Sequence, residues 1–194
     1  LTLSENRKKI KRPKKNKIFK KLISNNIIKE LPFHLTKSQI QVLNEINLDL
    51  KSEKRMFRII QGDVGSGKTI VSLLAIINVL ECKYQSALMS PTEILARQHF
   101  KLAKELFKKT NFKLEFLSGK TEYKKRKEIL KNLENGSIDL IFGTHSLFQK
   151  KIKFKNLGFI VIDEQHKFGV KQRSDLAKKG GDNCDVLLMS ATPI

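Results

Sequence analysis

A glycine-rich segment of nine residues constrains the fold of this chain more than any other feature. It has the sequence QGDVGSGKT over residues 61–69, with an apolar run at 57–60 before it and an apolar stretch at 68–80 after it. The pattern G-x-x-x-x-G-K-T between a strand and a helix is typical of a phosphate-binding loop. Its glycines let the backbone curl until successive N–H groups point at phosphate oxygens, and the helix N-terminus adds the positive end of its dipole. The sequence therefore predicts a strand, a phosphate-binding loop and a helix, in that order.

The side chains of this segment fit a nucleoside triphosphate with a divalent cation. Lys68 can reach the β- and γ-phosphates, and the Thr69 hydroxyl can ligate Mg²⁺. We therefore expect ATP and Mg²⁺ as the ligands of this loop. The predicted nucleotide-binding residues of the loop are Gly62, Asp63, Val64, Gly65, Ser66, Gly67, Lys68 and Thr69.

A second motif completes the predicted site. An apolar run at 159–162 ends in Asp163-Glu164. Asp163 would hold Mg²⁺, usually through water, and Glu164 would polarise the water that attacks the γ-phosphate, as a general base. Both motifs follow strands, and α/β sheets bind ligands at the carboxyl ends of their strands. The two motifs together predict an ATPase site with Lys68, Asp163 and Glu164 as catalytic residues and with Thr69 and Asp163 at the metal.

Short apolar runs alternate with helical segments from residue 31 onward. Strands are predicted at 57–60, 87–89, 114–117, 138–142, 159–162 and 186–189, with helices at 68–80, 93–109 and 122–133. Strands that alternate with helices of this length form a parallel sheet with right-handed crossovers. The predicted fold class is therefore α/β, a parallel sheet flanked by helices, over residues 31–194.

Positive charge is concentrated at the start of the chain. The formal net charge is +20, and residues 1–30 hold eleven basic residues against two acidic ones. Apolar residues at helical spacing predict a short amphipathic helix over 16–28 behind a basic arm, in a segment (1–30) separate from the lobe. The charge indicates a polyanionic partner such as nucleic acid. Because most of the basic residues are lysine, a distribution over solvated faces explains the same excess without a partner.

Several classes of protein and site are disfavoured by the sequence. The longest apolar-rich stretch, 70–80, is far shorter than the ~20 residues of a membrane span, so no membrane partner is expected. Cys82 and Cys184 have neither zinc spacing nor disulfide density, which favours the reducing cytoplasm. We interpret His34 and His99 as structural residues, because no cluster of His and Cys accompanies them.

Several motif strings resemble those of the superfamily 2 helicases. DEQH at 163–166 resembles the DExH box, SAT at 190–192 resembles motif III, PTEILA at 91–96 resembles motif Ia and GTH at 143–145 resembles a motif Ib element. The fuller strings LPF and LT with Gln39, GDVGSGKT, PTEILARQH, DEQHKFGV and SATPI resemble the RecG family of bacterial branch-migration helicases over residues 31–194. Lys167 stands where that family usually has Arg, and Ser190 where it often has Thr; both keep the charge or the hydroxyl.

The resemblance implies a RecA-like P-loop NTPase lobe, the first motor lobe of a helicase, and further site residues. Phe33 and Gln39 would recognise adenine; Thr92, Arg97, Gly119, Thr144 and His145 would hold the phosphates of one DNA strand; Gln165, His166, Ser190 and Thr192 would couple the γ-phosphate to the DNA face. Other roles for these residues remain open. Gln39 can be an exposed residue at a helix start, Thr92 a helix cap, His145 a packing residue and Ser190 a turn former.

The implied function is ATP-driven branch migration of DNA in repair and recombination. The partners would be forks, Holliday junctions and duplex DNA, held through the backbone, in the cytoplasm of a bacterium. A second RecA-like lobe and a wedge domain are expected in the full-length chain. Because an arginine finger, which the second lobe carries in the family, is worth about 10³–10⁵ in rate, we expect weak hydrolysis by this lobe alone.

Two other functions remain open. A duplex translocase like Mfd shares the GDVG string and an acidic box ending in FGV, but it typically has an aromatic residue where this chain has Ser66 and Glu where it has Gln165. A non-catalytic nucleic-acid-binding module with a vestigial loop is the other alternative, and the intact Lys68, Thr69, Asp163 and Glu164 argue against it.

Overall fold

The computed structural model describes residues 14–149, 151–164 and 181–191, and within them the chain alternates between helices and strands. The helices are α1 (Leu22–Glu30), α2 (Lys37–Lys51), α3 (Lys68–Glu81), α4 (Glu93–Leu106) and α5 (Tyr123–Asn135). The strands are β1 (Phe57–Gln61), β2 (Gln85–Met89), β3 (Leu114–Leu117), β4 (Leu140–Gly143), β5 (Leu157–Ile162) and β6 (Asp185–Ser190). Short 3-10 turns occupy His145–Phe148 and Gly181–Asn183.

The six strands form one parallel sheet in the order β1-β6-β5-β2-β4-β3. Each predicted strand is present, and the predicted parallel α/β fold is confirmed. Strands β2, β4, β5 and β6 are buried along their whole length. A strand that is covered on both faces needs apolar side chains on both, which is why these segments are continuous apolar runs in the sequence.

Helices cover both faces of the sheet, and alternate residues of each strand point to opposite core layers. In β5, Phe159 and Val161 join the layer formed with α1 to α4, whereas Ile160 and Ile162 join the layer formed with α5. Helix α3 lies deepest, since every residue from 71 to 80 is buried. None of the described helices is long and apolar enough to cross a membrane.

The polar residues of α3 are hydrogen-bonded within the core. The Asn78 side chain donates to Asn47 Oδ1 of α2 at 2.8 Å, and its Oδ1 accepts a hydrogen bond from the Ser24 hydroxyl of α1 at 2.7 Å. The Ser72 hydroxyl donates to the carbonyl of Lys68 at 2.8 Å. A buried polar group costs little once it is paired, so these contacts fix the relative positions of α1, α2 and α3.

Residues 14–20, which we call the N-terminal strap, lie before α1 without regular secondary structure. The backbone N–H groups of Lys14 and Lys17 donate to the carbonyls of Glu53 and Leu50. The helix predicted to start at residue 16 begins only at Leu22, so that predicted start was wrong. Phe19 of the strap is buried in the same core layer as α3. The division of the chain into domains at residue 30 stays a prediction.

Two lysines of the strap converge on one buried carboxylate. Lys14 Nζ lies 2.8 and 2.7 Å from the two carboxylate oxygens of Asp185, and Lys17 Nζ lies 2.6 Å from Oδ2. All three side chains are fully buried in these ion pairs. Asp185 also accepts a hydrogen bond from the backbone N–H of Met56 at 2.7 Å. Burial lowers the pKa of Lys14 below its ordinary value, although Asp185 opposes this shift. The carboxylate therefore joins the strap to the start of β6.

Replacing Asp185 by asparagine (Asp185→Asn) is expected to reduce the free energy of unfolding by about 3–5 kcal/mol, because it leaves two buried ammonium groups without their counter-charge. Urea unfolding of the wild-type and variant chains would measure the difference. Lys109→Met is the matched control, since it removes the exposed ion pair between Lys109 and Glu30 and should cost only about 0–1 kcal/mol. Equal urea midpoints for Asp185→Asn and the wild type would show that the ion pairs do not hold the strap.

Candidate active site

The carboxyl ends of the parallel strands lie along one edge of the sheet, and strand order divides that edge into two halves. The half formed by the neighbouring strands β1, β6 and β5 carries the glycine-rich loop, Ser190 and Asp163. The half formed by β2, β4 and β3 leads into Thr92, Thr144 and Gly119. We call these the nucleotide half and the nucleic-acid half, after the ligands that the sequence predicts for them.

The glycine-rich loop is tied to its neighbours at both ends. At its start, the N–H of Gly62 donates to the carbonyl of Ser190 at the end of β6, 3.3 Å away. At its end, Gly67 has a φ of 82°, which glycine adopts without strain. A Cβ at Gly67 would also collide with the side-chain amide of Gln39. The left-handed backbone therefore favours glycine at this position, whereas the Gln39 amide is the far end of a flexible side chain and can shift away from a Cβ.

Lys68 and the first turn of α3 present positive charge to the inside of the loop. Lys68 Nζ donates to the carbonyls of Gly62 and Asp63 at 2.5 and 2.8 Å. The N-cap of α3 is Gly67, which supplies no side-chain hydrogen bond to the first-turn N–H groups. Uncapped N–H groups, a helix dipole and an ammonium group together form an anion site, so the residues present fit a phosphate.

The acidic pair follows β5 directly. Asp163 is mostly buried, its backbone N–H donates to the carbonyl of Met89 at 2.8 Å, and its Oδ2 lies 2.8 Å from Nε2 of His99. Glu164 is partly exposed and has a φ of 50°. Non-glycine residues seldom adopt this left-handed region, and those that do are concentrated at functional sites.

The donors at this edge fit Mg²⁺ better than a metal ion whose ligands all come from the protein. Among the described residues, no group of three or more His, Cys, Asp or Glu side chains could hold a metal. Thr69, in the first turn of α3, offers a hydroxyl, and Asp163, directly after β5, offers a carboxylate. Mg²⁺ is usually bound through one or two protein ligands together with phosphates and water, so this set fits Mg²⁺ with a bound nucleotide.

Gln39 links helix α2 to the phosphate loop. It forms a capping box with Thr36, in which the N–H of Gln39 donates to Thr36 Oγ1 at 3.2 Å and the N–H of Thr36 donates to Gln39 Oε1 at 2.9 Å. Its Nε2 donates to the carbonyl of Ser66 at 2.9 Å. Phe33, six residues earlier, is 46% exposed. Gln39 is therefore both a helix-start residue and a contact of the loop.

The start of α4 carries two of the residues predicted to hold DNA. Thr92 is the N-cap, and its Oγ1 accepts from the N–H of Leu95 at 3.3 Å. Arg97 donates to Glu93 Oε1 at 2.8–3.0 Å and lies over the ring of Phe116, 4.4 Å from its centroid. The hydrogen bond from Arg97 lowers the pKa of Glu93 below its ordinary value. Both side chains thus have structural partners at the edge of the sheet.

Arg126 of α5 joins the other two loops of this half. It donates to the carbonyl of Ser118 at 3.4 Å and to Gln149 Oε1 at 2.6 Å. Gly119, next to Ser118, is exposed, and Thr144 precedes the His145–Phe148 turn, which ends beside Gln149. The loops after β3 and β4 are therefore held together by one guanidinium, which the sequence interpretation did not identify.

The sequence profile of the DEAD/DEAH box helicases matches residues 36–194. The chain belongs to the DEAD/DEAH box helicase family. Among curated helicases it is 49% identical over 172 residues to the ATP-dependent DNA helicase RecG of Thermotoga maritima, covering 89% of this chain and 22% of that protein. It is 51% identical over 164 residues to RecG of Streptococcus pneumoniae, covering 84% and 24%. The chain thus spans about a quarter of the length of these relatives.

Solved helicase structures agree with this assignment. A RecG bound to a three-way DNA junction superposes with a TM-score of 0.84 and 43% identity, over 94% of this chain and 24% of that one. The DEAD-box helicase Mss116, bound to single-stranded RNA, superposes with a TM-score of 0.72 at 21% identity, over 89% and 39%; this match shows the fold alone. The predicted resemblance to RecG and the predicted RecA-like lobe are both confirmed.

Not all of the predicted helicase motif residues can be placed. Gln165, His166 and Thr192 lie outside the residues that the structure describes, as does the side chain of His145. Ser190 is buried, and its carbonyl is held by Gly62. His99, interpreted from the sequence as structural, contacts Asp163, and the sequence interpretation did not identify this partner. Its place at the end of the PTEILARQH string was the available signal.

Proposed function

We propose that this chain is the first motor lobe of a RecG-type DNA helicase, which couples ATP hydrolysis to branch migration and to the remodelling of forks and Holliday junctions in the bacterial cytoplasm. The observation that carries the proposal is the single sheet edge on which the phosphate loop, the Asp163-Glu164 pair and the loops after β2, β4 and β3 stand side by side. Relatives at about half identity, named as RecG helicases, support it.

In the nucleotide half, Lys68 and the first-turn N–H groups of α3 would hold the phosphates of ATP. Thr69 and Asp163 would hold Mg²⁺, which when bound neutralises phosphate charge. Glu164 would accept the proton of the attacking water, as a general base. The residues around Lys68 in the loop, from Gly62 to Gly67, would contact the phosphates mainly through backbone N–H groups.

In the nucleic-acid half, we propose contacts to the DNA backbone that do not depend on sequence. The residues are Thr92, Arg97, Gly119, Thr144 and His145. Hydroxyls, backbone N–H groups and one guanidinium bind phosphates but carry no information about base identity. The lysines around these loops would add a salt-dependent attraction through counterion release. Such a surface suits a motor that has to move along any sequence.

Coupling between the halves would pass through the end of β6. Ser190 holds the start of the phosphate loop through the N–H of Gly62, so a change at the γ-phosphate has a direct route to this strand. Gln165, His166 and Thr192 would complete the coupling set, as the resemblance implies. A second RecA-like lobe and a wedge domain in the full-length protein would convert the change into movement of DNA.

The base of the nucleotide would be recognised by Phe33 and Gln39. Gln39→Ala is expected to reduce discrimination between ATP and GTP about tenfold, since it removes a paired donor and acceptor worth about 1 kcal/mol or more. Competition of ATP and GTP for binding to the full-length protein would measure the ratio. Gln41→Ala, two positions past the capping box on α2, is the control. An unchanged ratio in Gln39→Ala would remove adenine recognition from this residue.

The proposed function is tested by ATP hydrolysis of the full-length protein, measured with and without a three-way DNA junction. We expect hydrolysis that the junction accelerates. A vestigial phosphate loop predicts neither ATP binding nor hydrolysis. A duplex translocase like Mfd predicts the same acceleration by plain duplex as by the junction.

A further inference from the structure

A side-chain hydrogen bond crosses from the nucleic-acid half of the sheet edge to the nucleotide half. His99 lies on α4, seven residues after the Thr92 N-cap, and its Nε2 is 2.8 Å from Oδ2 of Asp163 after β5. The two side chains are only 12% and 11% exposed. A carboxylate that binds a metal ion accepts hydrogen bonds, so the Nε2–H of His99 is the donor in this contact.

The surrounding backbone makes this contact well defined. Strands β2 and β5 are neighbours in the sheet, with Met89 in register with Ile162. The N–H of Asp163 donates to the carbonyl of Met89 at 2.8 Å. Asp163 is therefore held by β2 through its backbone and by α4, the helix that follows β2, through its side chain.

A carboxylate that binds a metal is sensitive to such a partner. Hydrogen bonds from outside the metal's own ligands fix which oxygen faces the ion and restrict rotation of the carboxylate. Removing such a partner typically costs about 10–100-fold in metal affinity or activity. Here the partner belongs to α4, whose N-cap Thr92 and helical residue Arg97 are two of the proposed DNA contacts. A shift of α4 on the DNA would consequently change the orientation of the Asp163 carboxylate.

We infer that His99 is a positioning residue that orients Asp163 toward Mg²⁺ and links the placement of α4 on DNA to the metal site. The inference rests on the proposed function, because it takes Asp163 as a ligand of Mg²⁺ and α4 as a DNA contact. It adds His99 to the site and a second connection between the two halves. In this connection the nucleic-acid half orients the Asp163 carboxylate, in addition to the proposed coupling through Ser190.

The test compares two substitutions in the full-length protein. His99→Leu keeps an apolar side chain in the space but removes the donor, whereas His99→Gln keeps an N–H donor at a similar reach. The measured quantity is the Mg²⁺ concentration for half-maximal ATP hydrolysis at saturating ATP and junction DNA, together with thermal unfolding. His34→Leu, at an exposed position on the chain before α2, is the matched control.

We expect His99→Leu to raise the half-maximal Mg²⁺ concentration by about 10–100-fold and to weaken acceleration by DNA, while ATP binding without Mg²⁺ stays near the wild-type value because Lys68 is intact. His99→Gln should recover most of the loss, and His34→Leu should match the wild type. Thermal unfolding shows whether His99→Leu has a folding defect. If it has, the test rests on whether His99→Gln keeps the wild-type Mg²⁺ requirement.

Two results would overturn the inference. The first is a wild-type Mg²⁺ requirement in His99→Leu, and the second is equal impairment of the Leu and Gln variants, which would mean that the donor is not what matters. Failure of the proposed function looks different: the wild-type protein would not hydrolyse ATP, or Lys68→Ala would hydrolyse it unimpaired.

Discussion

Lys68→Ala is expected to lower the rate of ATP hydrolysis by the full-length protein by at least about 10²–10³-fold, the usual cost of removing one preorganised electrostatic contact to the reacting group. Lys68 is the positively charged side chain of the phosphate loop, and its ammonium donates to the carbonyls of Gly62 and Asp63. Removing it leaves the loop N–H groups and the α3 dipole, which hold the phosphates more weakly and cannot offset their full charge.

The measurement is steady-state phosphate release with saturating junction DNA. Lys109→Ala, a substitution of an exposed lysine after α4, controls for the loss of one positive charge and should turn over at the wild-type rate. Lys68→Ala turning over as fast as Lys109→Ala would show that this loop is not the site of hydrolysis.

Glu164→Gln is expected to separate ATP binding from ATP cleavage. The amide keeps the size of the side chain but cannot take a proton from water, and loss of a general base costs about 10²–10⁴-fold in rate. Lys68, Thr69 and Asp163 are untouched, so affinity for ATP should stay within a few-fold of the wild-type value. The backbone at this residue is left-handed, and Gln replaces Glu without a change in backbone preference.

Two readouts on the same protein check this separation: binding of a fluorescent ATP analogue, and hydrolysis in a single turnover. Glu105→Gln, on the exposed face of α4, is the matched control and should behave as the wild type in both. If Glu164→Gln cleaved ATP at the wild-type rate, another group would be the base. Loss of binding together with cleavage would instead give Glu164 a role in holding the nucleotide.

Strands and the phosphate loop were predictable because their signals are local. The glycines at 62, 65 and 67 are needed by the loop itself, and β5 is an apolar run because both of its faces are covered. The same holds for α3, whose apolar stretch was placed within one residue of its observed end at Glu81. The capping box of Thr36 and Gln39 is also a local pattern, but the sequence interpretation gave Gln39 either adenine recognition or an exposed place at a helix start, without Thr36 as its partner.

The remaining features depend on which distant segments become neighbours. Lys14 belongs to the predicted basic arm and Lys17 to the helix predicted over 16–28. Only the fold brings both lysines to Asp185, more than 160 residues away. His99 contacts Asp163 because β2 and β5 are adjacent in the sheet. The local sequence of neither segment predicts this strand order. Arg126 likewise acquires its role from two loops that follow different strands.

Part of the positive charge thus has a structural use. Lys14 and Lys17 neutralise a buried carboxylate, and Arg58 of β1 pairs with Glu45 and Asp49 of α2 at 2.9 and 2.8 Å. These residues are not available to a polyanion. The attraction for DNA that we propose would come from the exposed lysines near the loops after β2, β3 and β4.

We propose that ATP bound at this lobe drives the remodelling of branched DNA. The most direct test of this proposal is the release of a labelled strand from a three-way junction by the full-length protein. We predict release by the wild-type protein with ATP and Mg²⁺. We predict none by the wild-type protein with a non-hydrolysable ATP analogue and none by Lys68→Ala, although the protein still binds the junction in both cases. Release that proceeds equally without ATP, or an absence of release while ATP is being hydrolysed on the junction, would contradict the account.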